Sequence, residues 1–110
     1  NDYFKLSVNG SIRAKEIIVE TGWADFVFAD DYKLMSLDKV EDFIEENNHL
    51  PGVPSAKSIS ENGLKVAESQ TIQMQKIEEL TLYTIEQQKL IQSLLDEVND
   101  LKNEMKSIQK

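Results

Sequence analysis

The side chains that most readily suggest chemistry are carboxylates, and they crowd one short stretch. Asp30, Asp31, Asp38, Glu41, Asp42, Glu45 and Glu46 all fall there. Such density raises the possibility of a divalent cation, since calcium takes about six to eight oxygens converging from a turn. The spacing does not match an EF-hand loop, however, and acids at helical spacing read as a solvated face. His49 is the only histidine. A lone imidazole builds neither a zinc site nor a catalytic triad, so it reads as a loop or packing residue. Cysteine is absent, which excludes disulfides and thiolate metal sites. Two carboxylates working on a glycosidic bond need a cleft to face each other across, and nothing in the pattern offers one. There is no glycine-rich phosphate loop. The sequence therefore assigns no catalytic, cofactor-binding or metal-ligating residues, and no enzymatic activity is expected.

Trp23, Phe26 and Phe28 admit two readings. Aromatic platforms hold sugars or partner proteins, but a small β layer also needs large side chains to make any core. The core reading is the stronger. It is extended to Val40, Phe43 and Ile44 on a neighbouring short helix.

The elements that must position these residues follow from periodicity and punctuation. Residues 3–8 alternate in part, with Phe4, Leu6 and Val8 on one side. Asn9-Gly10 is a strong hairpin signal because both residues tolerate positive φ. Ile12, Ala14, Ile17, Ile18 and Val19 resume the pattern until Thr21-Gly22, and Trp23 to Phe28 is a third strand candidate. Ser36 looks like an N-cap, with Asp38 in the first turn of a short amphipathic helix from about Leu37 to Glu46. Leu50-Pro51-Gly52-Val53-Pro54 cannot be helix interior. Its Leu50 and Val53 are expected to pack onto the small core. Ser58 to Gly63 reads as a turn or short helical piece. A long helix begins near Val66.

That helix carries a heptad repeat. One position holds Ile77, Thr84, Ile91, Val98 and Met105; the other holds Leu80, Gln87, Leu94, Leu101 and Ile108. These are a and d positions sustained over about four and a half heptads, a coiled-coil signature. Glu97 at g and Lys102 at the following e meet with opposite sign across a parallel, in-register interface. Leu90 and Leu95 form an apolar version of the same pairing, which widens the stripe and suits three strands. The core residues themselves, Ile91 and Val98 at a with Leu94 and Leu101 at d, lean to two strands. Thr84 and Gln87 interrupt the seam. They are either a tolerated weak spot or a register device, in which symmetry-related Gln87 amides bond around the axis; the register reading is preferred. An on-axis water or small anion held by Gln87 is a weaker alternative. Upstream of Ile77 the seam degrades through Gln70 and Gln73, while Ile72 and Met74 lie off it. This first stretch is expected to pack against the strands and the short helix.

Composition narrows the partners. The net charge is −8, which argues against binding nucleic acid or an anionic membrane through charge. No apolar run approaches the length of a membrane span and no signal peptide is visible. The chain starts at Asn1 directly in a strand-like pattern, so it reads as the C-terminal part of something longer. The expected architecture is α+β: residues 1–65 as a small N-terminal β layer plus short helix, and 66–110 as a long C-terminal helix forming a parallel, trimeric coiled coil.

Several segments together carry a family resemblance. They are Val8-Asn9-Gly10-Ser11-Ile12-Arg13-Ala14-Lys15-Glu16, Thr21-Gly22-Trp23-Ala24-Asp25-Phe26-Val27-Phe28, Asp31-Tyr32-Lys33-Leu34, Ser36-Leu37, His49-Leu50-Pro51-Gly52-Val53-Pro54-Ser55 and Gln75-Lys76-Ile77-Glu78-Glu79-Leu80-Thr81-Leu82-Tyr83. The combination resembles the C-terminal module of bacterial and phage tail-fibre-like and secreted surface proteins. In role it is similar to the intramolecular chaperone domains that end endosialidase-type tail spikes. The resemblance implies a homotrimer that registers three chains so that a β-rich shaft upstream in the same chain can form, outside the cell, on its surface or on a virion tail fibre. Endosialidase-type domains release themselves through a serine at their start. The surroundings of Ser7 and Ser11 do not match that motif, and no autocleavage is expected.

The primary expectation is thus a non-enzymatic trimerisation and folding module. Its rivals are an adhesin tip binding a cell-surface receptor or glycan, a self-cleaving intramolecular chaperone, and a dimeric cytoplasmic coiled-coil adaptor.

Overall fold

The computed structural model describes residues 3–23 and 26–109 and contains three helices: α1 (Leu37–Asn47), α2 (Ala56–Asn62) and α3 (Val66–Ile108). Each short helix starts where its sequence supplies a cap. The Ser36 hydroxyl accepts from the Lys39 N–H at 3.4 Å, and the Ser55 hydroxyl accepts from the Ser58 N–H at 3.1 Å. α1 ends on Asn48 in the left-handed region, at φ 59°, with its N–H bonded back to the Ile44 carbonyl at 2.8 Å. Between α1 and α2, Leu50-Pro51-Gly52-Val53 forms a reverse turn. The Val53 N–H donates to the Leu50 carbonyl at 3.1 Å, and Gly52 takes φ 77°. Proline followed by glycine at positive φ is the type II arrangement, which a β-carbon at Gly52 would strain.

The expected β layer is not there. Among the described residues there is no strand and no sheet, so the α+β assignment is corrected to a helical fold with a long irregular N-terminal segment. Asn9-Gly10 is a bend without a paired hairpin, and residues 26–32 are turns: Ala29 donates to the Phe26 carbonyl and Tyr32 to the Ala29 carbonyl. Ala24 and Asp25 of the third strand candidate lie outside the described residues. The cause is physical. Alternation and turn residues are local signals, whereas a strand needs a ladder partner and a cover for its apolar face. Among the described residues neither is offered, and Phe4, Leu6, Ile12, Ile17 and Ile18 all stand exposed.

α3 dominates the shape. At about 1.5 Å per residue its 43 residues run about 64 Å, and the molecule measures 84 × 32 × 30 Å. No two helices pack against each other among the described residues. The head, meaning everything before α3, is held to the long helix by loops. The stretch of α3 before Ile77, expected to rest on strands and the short helix, lies instead beside the turns and connectors of the head. One hydrophobic side chain is buried among those described, Val27, at 2% exposure. Trp23 (56% exposed), Phe26 and Phe28 are open to solvent, as is Ile44, while Val40 and Phe43 are half-buried. Leu50 is likewise largely exposed and Val53 half-buried.

Candidate assembly interface

The connector 26–35 is tied to one flank of α3 by tyrosines. Tyr32 donates its hydroxyl hydrogen to the Glu79 carboxylate and accepts from the Gln75 amide at 3.3 Å. Tyr83 donates to the Met35 carbonyl at 2.5 Å. Lys76 pairs with Glu79 at 2.9 Å and approaches Gly52 at the tip of the Pro-Gly turn. Burial raises the Tyr32 hydroxyl above its usual pKa, helped by its bond to Glu79 and countered by Gln75. Tyr83 is also raised, first by burial and then by the nearby charges of Glu79 and Glu86. None of these contacts was anticipated from the sequence. The available signal was that Gln75, Glu79 and Tyr83 share one flank of the helix, beside the apolar seam but not in it.

The consequence appears when burial along α3 is set on the heptad frame. From Gln70 to Thr84, every residue at b, c, f and g is half-buried. Every residue at a, d and e is exposed: Gln70, Gln73, Met74, Ile77, Leu80, Thr81 and Thr84. The head therefore sits mainly on the outer side of the helix and reaches the g edge of the seam, where its clefts meet Gln73, Ile77 and Leu80. It leaves open the face that, after Thr84, continues as the apolar seam. Ile77 is 53% exposed, Leu94 58% and Leu101 59%, and Ile91, Val98, Met105 and Ile108 are open as well. Gln87 is exposed in the same line, and Leu90, Leu95, Glu97 and Lys102 are exposed on its margins. Thr84 satisfies its own hydroxyl by donating to the Leu80 carbonyl at 2.8 Å.

Two clefts open between the head and α3. The first, about 520 Å³, lies between the strap Met35-Leu37, the Leu50-Pro51 turn and the helix at Ile77 and Leu80. The second, about 740 Å³, is walled by Val53, Ile59, Leu64 and the helix at Ser69, Ile72 and Gln73. Both lie towards the g side of the seam. His49 does not enter either; its ring stacks edge-on against Phe43 at 5.4 Å and its Nδ1 lies 2.9 Å from the Leu50 carbonyl. The described residues bring together no group of three or more metal-binding side chains, and no helix is long and apolar enough to cross a membrane. Comparison with protein families, with curated proteins and with solved structures gave no match.

Proposed function

We propose that the chain is a non-enzymatic trimerisation and folding module, a C-terminal device that assembles three copies of a fibrous surface or tail-fibre protein. The observation that carries this is the open a, d and e face of α3. It runs in one frame from Gln70 to Ile108, and the head, which reaches its g edge, leaves it exposed. A Leu or Ile side chain gains roughly 1.5–3 kcal/mol on full burial. The seam repeats that gain at most of its positions, yet among the described residues nothing covers it. Other copies of the same face are the natural cover, by knobs-into-holes packing.

Three strands are favoured over two by the apolar flank at Leu90 and Leu95, which a third helix covers better than a second. The resemblance of segments 8–16, 21–28, 49–55 and 75–83 to C-terminal modules of tail-fibre-like and secreted surface proteins points to the same number and to an extracellular setting. A folding role follows from kinetics. Long-range pairing in a β-rich shaft is slow and aggregation-prone, whereas a coiled coil forms from local contacts. Once formed, it holds the upstream chains at high effective concentration.

Light scattering on a sizing column tests the assembly. Three times the 12.6 kDa chain mass is expected. A stable single-chain mass would sink the proposal, and a clean twofold mass would move it to a two-stranded adaptor. The folding role is tested by expressing the chain with its natural upstream segment, with and without residues 66–110. Soluble, assembled shaft is expected only when α3 is present.

A further inference from the structure

Resting on the assembly proposed above, we infer that the head of each copy clamps the helix of its neighbour, with Met74 of one copy seated in the cleft walled by Ile59, Leu64 and Ile72 of the next. In a parallel, in-register coiled coil, a residue at e lies against the neighbour's g residue five positions earlier. Met74 is at e, so it faces Ser69 of the adjacent copy. Ser69 is on the rim of the second cleft, whose walls are otherwise largely apolar. One heptad on, Thr81 at e faces Lys76, which borders both clefts.

The two halves of this contact are each unexplained within one chain. Met74, 36% exposed, is an apolar residue off the a and d line, and it enters neither cleft of its own chain. The cleft, for its part, is an apolar space between elements that do not pack on each other. Methionine, unbranched and adaptable, suits an irregular gap of this kind. The clamp also gives the head a purpose at the interface. Because head and cleft exist at one end of α3 only, they reward the parallel arrangement, and they do so along a stretch where Gln70 and Gln73 make the seam itself weak.

Cysteine chemistry tests this cleanly, since the chain has none of its own. The double variant Leu64→Cys with Met74→Cys is oxidised mildly with copper phenanthroline and run without reductant. A bridge within one chain would leave the single-chain mass on the gel, so only bridges between chains build the ladder. A ladder ending at a covalent trimer is expected, and neither single variant should give it. A particle of assembled mass that forms no such bridge overturns the clamp while leaving the assembly standing; a single-chain mass overturns both. As a second measurement, Met74→Asp should lower the melting temperature of the particle by several degrees. Ile85→Asp, at an exposed b position beyond the head, should leave it nearly unchanged. Equal effects of the two would also overturn the clamp.

Discussion

Thr84 and Gln87 are both polar residues in an apolar seam, and they meet burial in different ways. Thr84 spends its hydroxyl hydrogen on its own helix, at the Leu80 carbonyl, so it can be enclosed without an external partner. Gln87 carries an amide with two donor hydrogens and a carbonyl acceptor, and on the axis of the proposed assembly the equivalent residues of other copies would serve them. Gln87→Leu is accordingly expected to raise the melting temperature, because an apolar d residue replaces a polar one, and to broaden the mass distribution in light scattering as registers and strand numbers multiply. A variant that gained stability and kept a single mass would remove the register role. The tyrosines make a different prediction. Tyr32 and Tyr83 have folded-state pKa values raised above the usual value near 10. Their contribution to stability is thus full below the unfolded-state pKa and fades as pH rises through the folded one. Thermal unfolding followed from neutral to strongly alkaline pH should show this loss. The double variant Tyr32→Phe with Tyr83→Phe should be less stable at neutral pH and should lack that part of the alkaline decline.

At the scale of elements, the proposed assembly places its greatest demand on α3. Leu94→Asp should convert the particle to single chains and remove much of the helical circular-dichroism signal, since a carboxylate enclosed at d has no partner there. Lys89→Glu, at the outer f position, should change neither mass nor helicity appreciably. α3 was also the element most legible in the sequence, because a repeat sustained over many turns leaves little ambiguity of type. α1 and the Pro-Gly turn were legible for another reason: Ser36, Asn48 and Gly52 each stand where backbone geometry restricts the choice of residue. The strands were misread because Phe4, Leu6 and Val8 alternate and Asn9-Gly10 invites a turn, while the missing requirement, a second strand edge with a cover, is not a local property. The Tyr32–Glu79 and Tyr83–Met35 ties were invisible for a related reason. They join residues far apart in the chain, and a single sequence carries no signal for which hydroxyl meets which acceptor. Upstream of Ile77 the sequence placed Gln70 and Gln73 at a and d, but their polar types gave no sign that this side of the helix stays exposed beside the head.

The whole molecule is elongated and buries little of its apolar surface. Its radius of gyration is 22.8 Å, against about 13 Å for a compact domain of this length, and among the hydrophobic residues described Val27 alone is buried. Ordering a residue costs roughly 1–2 kcal/mol in backbone entropy, and little in the isolated chain offsets that. On the proposed assembly, stability resides in contacts between copies, and folding and assembly are a single equilibrium. Such an equilibrium obeys mass action: raising the chain concentration favours the folded, assembled state and raises its melting temperature. Thermal scans of the wild-type chain across a wide concentration range should show the midpoint climbing steadily with the logarithm of concentration, with light scattering reporting single chains only where helicity has also been lost. A midpoint independent of concentration, or a helical single chain at high dilution, would mean that the head and α3 hold together unaided. The exposed a, d and e face would then need a purpose other than self-assembly.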